Sequence, residues 1–260
     1  MRWPTLANPA EHQISMVLSD VIGDDLATIA SGPTWITDRP YRKAMQILLE
    51  FDPQRVASDH VTRYLESHAQ SKAPEPIKNQ IPHVLVGNTW SGVEAAVQHA
   101  RNLGYHVIAE ISEPPEKLST KAEQLVDAIT DCDRPTCIVS GGEPTLQLAS
   151  REKRGIGGRN QQLAIEALQK WLLRHPDESN GPDFCFLSAG TDGEDGTSHA
   201  AGGYCDRQTM KSIHQQKLDL ENHIEHNDAE RLLRATENLL FTGVTHTNIC
   251  DIRVFIALPK

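Results

Sequence analysis

Short apolar runs alternate with amphipathic segments along most of this sequence. Residues 83–87 (HVLVG) predict a strand, residues 90–103 a helix, and residues 105–110 (YHVIAE) a second strand. A helix that joins two strands in this way makes a βαβ unit, so we expect neighbouring parallel strands with a right-handed crossover. The alternation continues to a last strand at 250–258 and predicts an α/β fold.

The same periodicities predict the other elements. Strands are expected at 14–19, 136–143 and 183–190, and helices at 40–51, 53–69, 116–130, 159–173, 206–217 and 227–239. Pro53 falls near the start of one helix, where a missing N–H is tolerated. Residues 70–82 carry three prolines and predict a loop. We expect a boundary between two α/β subdomains near 131–136.

Charge and cysteine content narrow the function classes. The formal net charge of −10 argues against a protein that coats DNA or RNA, because neutralising phosphates requires clustered Lys and Arg. No apolar run approaches the ~20 residues that a membrane helix needs. The five cysteines are odd in number and form no CxxC pair, which favours buried thiols in a reducing compartment, the cytoplasm. We therefore expect a protein that handles small molecules, without nucleic-acid or membrane partners.

The turn after the first strand is rich in acids. Asp20, Asp24 and Asp25 bring carboxylates together, as suits a hydrated Mg²⁺ held by few protein ligands. Free backbone N–H groups at Ser31 and Gly32 would contact a phosphate. The alternative interpretation is a solvated acidic turn in which an Asp caps a helix.

The turn GNTWSG, residues 87–92, joins a predicted strand to a predicted helix. The N–H groups and the dipole at such a helix start favour an anion near Asn88. A simple helix cap at Asn88 or Ser91 is the alternative. Neither the Walker pattern nor GxGxxG is present, so no standard nucleotide fingerprint is met.

Two further glycine-rich turns each follow a predicted strand. At the first, Gly141 and Gly142 permit a ligand to approach the backbone closely. Arg159 and Asn160 then open a helix, where the arginine can grip a phosphate or carboxylate, although a flexible basic loop with Asn as the cap is the alternative. In the second turn (SAGTDGEDGTSHAAGG), Asp192 and Asp195 could supply a general base or a metal ligand, or belong to a solvated loop.

Taken together these motifs resemble the glycerate 2-kinase family with its MOFRL domain. The resemblance runs from about residue 14 to residue 258 and rests on SDVIGDDLATIASGPT, VGNTWSGVEAA, SGGEPT…GIGGRNQQLAIEAL, SAGTDGEDGTSHAAGG and TGVTHTNICDIRVFIAL. It implies ATP-dependent phosphorylation of D-glycerate at its 2-hydroxyl, with Mg²⁺, in a cleft between two α/β domains. Some family members carry the label hydroxypyruvate reductase. That reaction would need a nicotinamide site, whose Rossmann fingerprint is missing, so we favour the kinase.

The resemblance also implies a domain division. Residues 1–131 would be the carboxyl-terminal part of a large, Rossmann-like domain with a parallel sheet, and residues 132–260 the smaller α/β MOFRL domain. Family members usually begin well upstream, with a catalytic lysine in a large amino-terminal domain, so we expect this chain to lack much of that domain. A truncated, non-catalytic remnant is therefore a third hypothesis. A homodimer stays open.

The family motifs assign roles to individual residues. Arg159 resembles the arginine that grips a phosphate or carboxylate, and Asp192 the catalytic acid, a candidate base for the substrate hydroxyl. His246 stands where the last motif usually has glycine. Substrate or nucleotide binding is expected at Ser31, Gly32, Asn88, Gly141, Gly142, Glu143, Asn160, Asp195 and Asn248, and metal binding at Asp20 and Asp24.

Overall fold

A computed structural model describes residues 13–35, 41–69, 81–111, 115–176 and 181–259. The chain forms two compact units. The first comprises Met1–Ser15 and Asp25–Val84, and the second Met16–Asp24 and Leu85–Lys260. The predicted loop 70–82 falls largely outside the described residues. The division at 131/132 implied by the resemblance stays a prediction.

The first unit contains two amphipathic helices, α1 (Tyr41–Phe51) and α2 (Asp59–His68). The prediction that the second helix starts near Pro53 is wrong. The carboxylate of Asp52 accepts hydrogen bonds from the N–H groups of Val56 and Ala57, both at 2.7 Å, and so closes a turn after α1. The helix then begins after Ser58, whose hydroxyl accepts from the N–H of His60.

Eight strands, six further α-helices and a short 3₁₀ helix (Ile29–Ser31) complete the described fold. The strands are β1 (Ser15–Leu18), β2 (His83–Gly87), β3 (His106–Ile111), β4 (Thr136–Gly142), β5 (Asp183–Gly190), β6 (Gly202–Asp206), β7 (Leu239–Leu240) and β8 (Asp251–Leu258). The helices are α3 (Thr89–Asn102), α4 (Leu118–Thr130), α5 (Arg159–Arg174), α6 (Arg207–Gln216), α7 (Leu220–Glu225) and α8 (Ala229–Ala235). The α/β class is confirmed.

The predicted strand pairing is wrong. β2 pairs with β1 in a two-stranded sheet, while β3 belongs to a six-stranded sheet of order β3-β4-β8-β5-β6-β7, so β2 and β3 are not neighbours. Of the pairs in the larger sheet only β3–β4 is parallel, because β8 returns between β4 and β5 and is antiparallel to both. The sheet is therefore mixed rather than parallel.

The predicted helix at 227–239 is also wrong in extent. Asn227 and Glu237 both have positive φ, at 49° and 62°, and bound the shorter α8 on either side. The chain then enters β7, which pairs with β6. Neither of these strands was predicted, since β6 begins with two glycines and β7 has only two residues.

Helices cover both faces of the six-stranded sheet. On one face α4 and α5 pack on the phenylalanines Phe186 and Phe255, which are fully buried. On the other face α3 packs on Cys137 and Val139 of β4. Burying each large apolar side chain contributes about 1.5–3 kcal/mol, so this core fixes the strand ends firmly. None of the helices formed by the described residues has both the length and the apolarity to cross a bilayer.

The directions of the strands bring the ends of β4, β5 and β8 to one edge of the sheet. Because β8 is antiparallel to both β4 and β5, the carboxyl ends of β4 and β5 lie beside the amino end of β8. In the register, Asp251 is opposite Gly142 on one side and opposite Gly190 on the other. The glycine-rich turns that follow β4 and β5 therefore start on either side of Asp251.

Candidate active site

An arginine and two acids form an ion-paired cluster at this edge. The Nε of Arg159 donates to Oδ2 of Asp251 at 2.5 Å, and its Nη2 donates to Oδ1 of Asp251 at 3.1 Å and to Oε1 of Glu143 at 2.7 Å. The side chain of Asp251 is 3% exposed, whereas that of Arg159 is 36% exposed. The buried carboxylate thus holds a guanidinium that still reaches solvent.

The electrostatics of the cluster follow from burial and crowding. Burial alone would lower the pKa of Arg159, but its bonds to Asp251 and the charge of Glu143 raise that pKa above its usual value. Burial raises the pKa of Glu143; the charge of Arg159 opposes this, and the charges of Asp251 and Asp20 add to it. Two carboxylates share one guanidinium and the charge of Asp20 acts on Glu143 as well, so a bound cation would relieve the repulsion among these acids.

A cavity of about 870 Å³ opens beside this cluster. Its charged lining includes Glu143, Arg151, Arg154, Arg159, Asp192 and Asp251. Arg159 and Asp192, the two residues expected to carry catalysis, therefore line one shared cavity. Their catalytic roles stay predictions.

Asp192 is held by the loop that follows β5. Its Oδ1 accepts from the N–H of Glu194 at 3.1 Å, and its backbone oxygen accepts from the N–H of Thr245 at 2.9 Å. Oδ2 accepts no hydrogen bond from the described residues. One carboxylate oxygen of Asp192 is thus fixed, and the other is left to the cavity.

Thr191 joins this loop to the segment before β8. Its hydroxyl donates to the carbonyl of Cys250 at 2.7 Å and accepts from the N–H of Ile249 at 2.9 Å. Its own carbonyl accepts from the hydroxyl of Thr245 at 2.6 Å. Cys250 has a φ of 71°, a conformation that residues with a side chain seldom adopt, and it immediately precedes Asp251. The threonine therefore couples the positions of Asp192 and Asp251.

The side chains of Asp195 and Asn160 form hydrogen bonds with each other and with neighbouring groups of the protein. Asp195 accepts from the backbone N–H groups of Asn160 and Gln161, at 3.0 and 2.9 Å, and so caps the start of α5. The side chain of Asn160 donates to Asp195 and accepts from the hydroxyl of Ser188. Burial raises the pKa of Asp195 to about 6, although these bonds oppose the rise. Both residues line the cavity, and their binding role stays a prediction.

Gly141 and Gly142 are explained by packing. A Cβ at Gly141 would overlap the methyl group of Thr89 and meet Val93, so glycine lets α3 lie close to β4. Gly142 has a φ of 113°, which favours glycine, and its carbonyl accepts from Nη1 of the buried Arg253. Neither glycine lines the cavity, and the proposed backbone contact with a ligand stays a prediction.

Asn88 is the N-cap of α3. Its Oδ1 accepts from the N–H of Ser91 at 3.0 Å, and the hydroxyl of Ser91 accepts from the N–H of Asn88, which completes a capping box. Its Nδ2 donates to Oδ2 of Asp24 at 2.7 Å. The capping alternative considered for this turn is therefore confirmed, and one oxygen of Asp24 is engaged by an amide.

Asp20 lies near the last motif. Its Oδ2 accepts from Nδ2 of Asn248 at 3.1 Å, and its carbonyl accepts from the thiol of Cys250 at 2.9 Å. In the described part of the chain no three His, Cys, Asp or Glu side chains gather at metal-binding distance. Metal binding by Asp20 and Asp24 stays a prediction, which a metal with few protein ligands would satisfy.

The expectation that the backbone N–H groups of Ser31 and Gly32 have no hydrogen-bond partner is corrected by the structure. In the first unit these groups donate to the carbonyls of Thr28 and Ile29, at 2.9 and 2.8 Å. Asp25 closes the same turn by accepting from the hydroxyl of Thr28 at 2.6 Å. The backbone donors are therefore already used within the turn, and phosphate binding there rests on the family resemblance alone.

Asp251 is the residue that sequence reasoning missed. It opens β8, and its role depends on its register opposite Gly142 and Gly190, which no local pattern reveals. The signal available was an acid at the first position of a strand in a recognised motif. His246 is exposed and has a φ of 58°, a backbone conformation that favours the glycine usual in the family motif.

Comparisons with known proteins agree with this architecture. Residues 136–251 match the MOFRL family, and residues 2–66 match a domain of unknown function, DUF4147. A glycerate 2-kinase of Pyrococcus horikoshii is 28% identical over 257 residues, which cover 95% of this chain. A glycerate kinase of Mus musculus is 30% identical over an alignment of 302 residues, gaps included, and the alignment covers 98% of this chain.

A solved structure shares the fold. The crystal structure of a glycerate kinase from Thermotoga maritima superposes with a TM-score of 0.78 at 28% identity and covers 95% of this chain. The match covers 57% of that chain, and the matches to the two curated relatives each cover 56% of theirs. The chain thus spans somewhat more than half the length of the proteins it resembles.

Proposed function

We propose, from the premise that this chain belongs to the glycerate 2-kinase family, that it phosphorylates D-glycerate at the 2-hydroxyl with ATP and yields 2-phosphoglycerate and ADP. Relatives of this chain carry the names glycerate kinase and glycerate 2-kinase. Since the matched region is only part of each relative, the activity of this chain is itself part of the proposal.

The observation that supports the proposal most strongly is the hydrogen bonding of Arg159, which leaves one nitrogen of its guanidinium without a partner among the described residues. Two of its nitrogens are fixed by Asp251 and Glu143, while Nη1 donates to no described residue. A half-exposed guanidinium that is oriented from behind grips a carboxylate or a phosphate in a defined direction. Arg151 and Arg154 on the same cavity add positive charge for an anionic substrate.

This cavity offers the groups that phosphoryl transfer requires. The 2-hydroxyl oxygen of glycerate bonds to the γ-phosphorus, the bond from that phosphorus to the bridging oxygen breaks, and ADP leaves. Asp192 accepts the hydroxyl proton through Oδ2, and Arg159 neutralises charge on the transferred group or on the substrate carboxylate. Positioning and charge neutralisation are what this reaction chiefly requires.

The acids of the site suit Mg²⁺. Its preferred ligands are oxygens, and it usually keeps several waters with one or two carboxylates and the substrate phosphates. Asp20 is exposed and close enough to Glu143 to raise its pKa, so a cation there would offset their repulsion. Asp24 would contribute the oxygen that Asn88 does not engage. Bound Mg²⁺ would supply neutralisation of the nucleotide phosphates.

The test is ADP release with D-glycerate and ATP by this chain. We expect turnover that falls at least 100-fold in Asp192→Asn and in Arg159→Met. Asp183→Asn, which removes an exposed acid paired with Arg207 away from the cavity, should keep full turnover. Unchanged turnover in Asp192→Asn would remove that residue from catalysis.

The reductase alternative makes an opposite prediction. It requires NADH or NADPH oxidation with hydroxypyruvate in the absence of ATP. That result, together with no ADP release from D-glycerate, would replace the kinase proposal. Turnover of neither substrate by the folded chain would leave the non-catalytic remnant as its function class.

The surroundings of the protein belong to the same proposal. The cysteines Cys132, Cys137, Cys185, Cys205 and Cys250 are all free thiols, which supports a cytoplasmic location. The proposed partners are glycerate and the nucleotide, without nucleic acid or membrane. A homodimer stays a prediction that light scattering would test.

A further inference from the structure

A second cavity adjoins the first on the far side of the segment after β4. It has a volume of about 540 Å³, within the range of small-molecule sites. Thr145, Leu146, Leu148 and Asn227 line both cavities. A molecule longer than either cavity could therefore extend from one into the other past these residues.

The second cavity contains a buried carboxyl group without a cation. Glu166 lies on α5 and is 8% exposed. Its Oε1 accepts from Nε2 of Gln162 at 2.9 Å, and it forms no ion pair with any described residue. Burial raises the pKa of Glu166, and the hydrogen bond from Gln162 and the more distant charge of Lys170 only partly offset this. The Oε2 of Glu166 accepts no hydrogen bond from a described residue and is open to a donor from a ligand.

The rest of the lining combines apolar walls with hydroxyl and amide groups, and Lys117 and Glu225 add one charge of each sign. Leu146, Leu148 and Ile224 give apolar area, while Ser119 and Thr145 give hydroxyls. Leu148 is 53% exposed, an apolar side chain at the junction of the two cavities. The apolar side chains of this lining suit a flat heterocycle, and its hydroxyl, amide and carboxyl groups suit a sugar and an N–H donor. The guanidinium groups that would bind an anion line the first cavity.

We propose that the second cavity binds the adenine and ribose of the nucleotide, with the exocyclic amino group of the base donating to Glu166. The proposal rests on the proposed kinase function for the identity of the ligand, and it places the phosphates toward Arg154 and Arg159 in the first cavity. Glu166 is then a residue that determines base specificity.

Calorimetric titration with adenosine tests this site separately from the phosphate site. Adenosine should bind the full chain, and purine riboside, which lacks the amino group, should bind at least fivefold more weakly. Glu166→Leu removes the acceptor and should bring the ratio of the two affinities to about one. Glu123→Leu, an exposed acid on α4, is the matched control and should keep the ratio.

A substitution that fills the second cavity with a larger side chain gives a second, independent measurement. Ser119 is exposed on the first turn of α4, so Ser119→Trp should keep the melting temperature, weaken adenosine at least tenfold and leave inorganic triphosphate binding unchanged. Unaltered adenosine binding in folded Ser119→Trp, or no adenosine binding by the wild type, would overturn the proposal. If adenosine binds as expected while D-glycerate is not phosphorylated, the kinase proposal fails and the nucleoside site is retained.

Discussion

The guanidinium of Arg159, at the start of α5, forms two hydrogen bonds with the carboxylate of Asp251, at the start of β8, although 92 positions of sequence separate them. The pair joins the helix that follows one glycine-rich turn to the central strand of the sheet. Its acid is almost wholly buried and its base is partly exposed. The arginine is therefore oriented by the core and presented to the cavity.

Removing the acid of this pair should affect both stability and turnover. Asp251→Asn leaves a partly buried guanidinium with Glu143 as its remaining anion, so we expect the free energy of unfolding to fall by about 2 kcal/mol. Misplacement of Arg159 should lower phosphoryl transfer on the order of 100-fold. Denaturant unfolding and ADP release measure the two effects. Equal turnover in the variant and the wild type would show that Arg159 is oriented by other contacts.

The pH dependence of stability should report Asp195. Its folded pKa of about 6 lies above the usual 3.8, so its contribution is fully present below pH 4 and is lost as the pH rises through 6. That gap corresponds to about 3 kcal/mol. Between pH 3 and pH 7 the wild type should therefore lose about 3 kcal/mol relative to Asp195→Asn, which does not titrate. Urea unfolding at several pH values checks this, and parallel profiles would contradict it.

The hydroxyl of Thr191 should matter more for activity than for stability. Thr191→Val removes its bonds to the backbone of residues 249 and 250, which costs about 1–2 kcal/mol. Because the loops with Asp192 and Asp251 lose their connection, turnover should fall roughly 10- to 100-fold. Thr191→Ser keeps the hydroxyl and should restore most of it.

A matched control exists for this threonine. Thr236 is buried, its hydroxyl donates to the carbonyl of Leu232 at 3.1 Å, and it does not line the cavity. Thr236→Val should lose a similar amount of stability and keep full turnover. If both valine variants lose turnover alike, the hydroxyl of Thr191 has a general structural role only.

Close packing at Gly141 should appear in a double-mutant cycle. Gly141→Ala places a methyl group against Thr89 and Val93, and overpacking of this kind costs about 1–3 kcal/mol. Thr89→Ser removes the methyl group that the alanine would overlap, so the double variant should recover at least half of that loss. Thermal or denaturant unfolding measures the cycle. Additive losses would place the strain elsewhere.

Local structure was predictable where side chains alone determine it. The strand predicted at 183–190 has those bounds in the structure, and the helix predicted at 159–173 ends one residue later. Both segments have strong periodicity and clear boundaries. Strand β6 was not predicted because its glycines serve close packing: a Cβ at Gly202 would overlap the backbone of Ser188.

Long-range pairing was not predictable from these patterns. The βαβ interpretation of residues 83–110 assumed that successive strands are neighbours, whereas β3 pairs with β4 and β2 pairs with β1. The candidate site shows the same limit. Arg159 and Asp192 were chosen from their turns, but Asp251 depends on which strands flank β8, and this is decided by the packing of the whole sheet.

The place of β8 between β4 and β5 has a consequence for synthesis on the ribosome. The sheet cannot close while residues 251–258 remain in the exit tunnel, because β8 is the strand that joins the β3–β4 pair to the β5–β6 pair. Arg159 is synthesised 92 positions before Asp251 and lacks this partner until Asp251 has emerged. Nascent chains arrested before this strand should therefore expose Phe186 of β5 to chaperones until residues 251–258 are released.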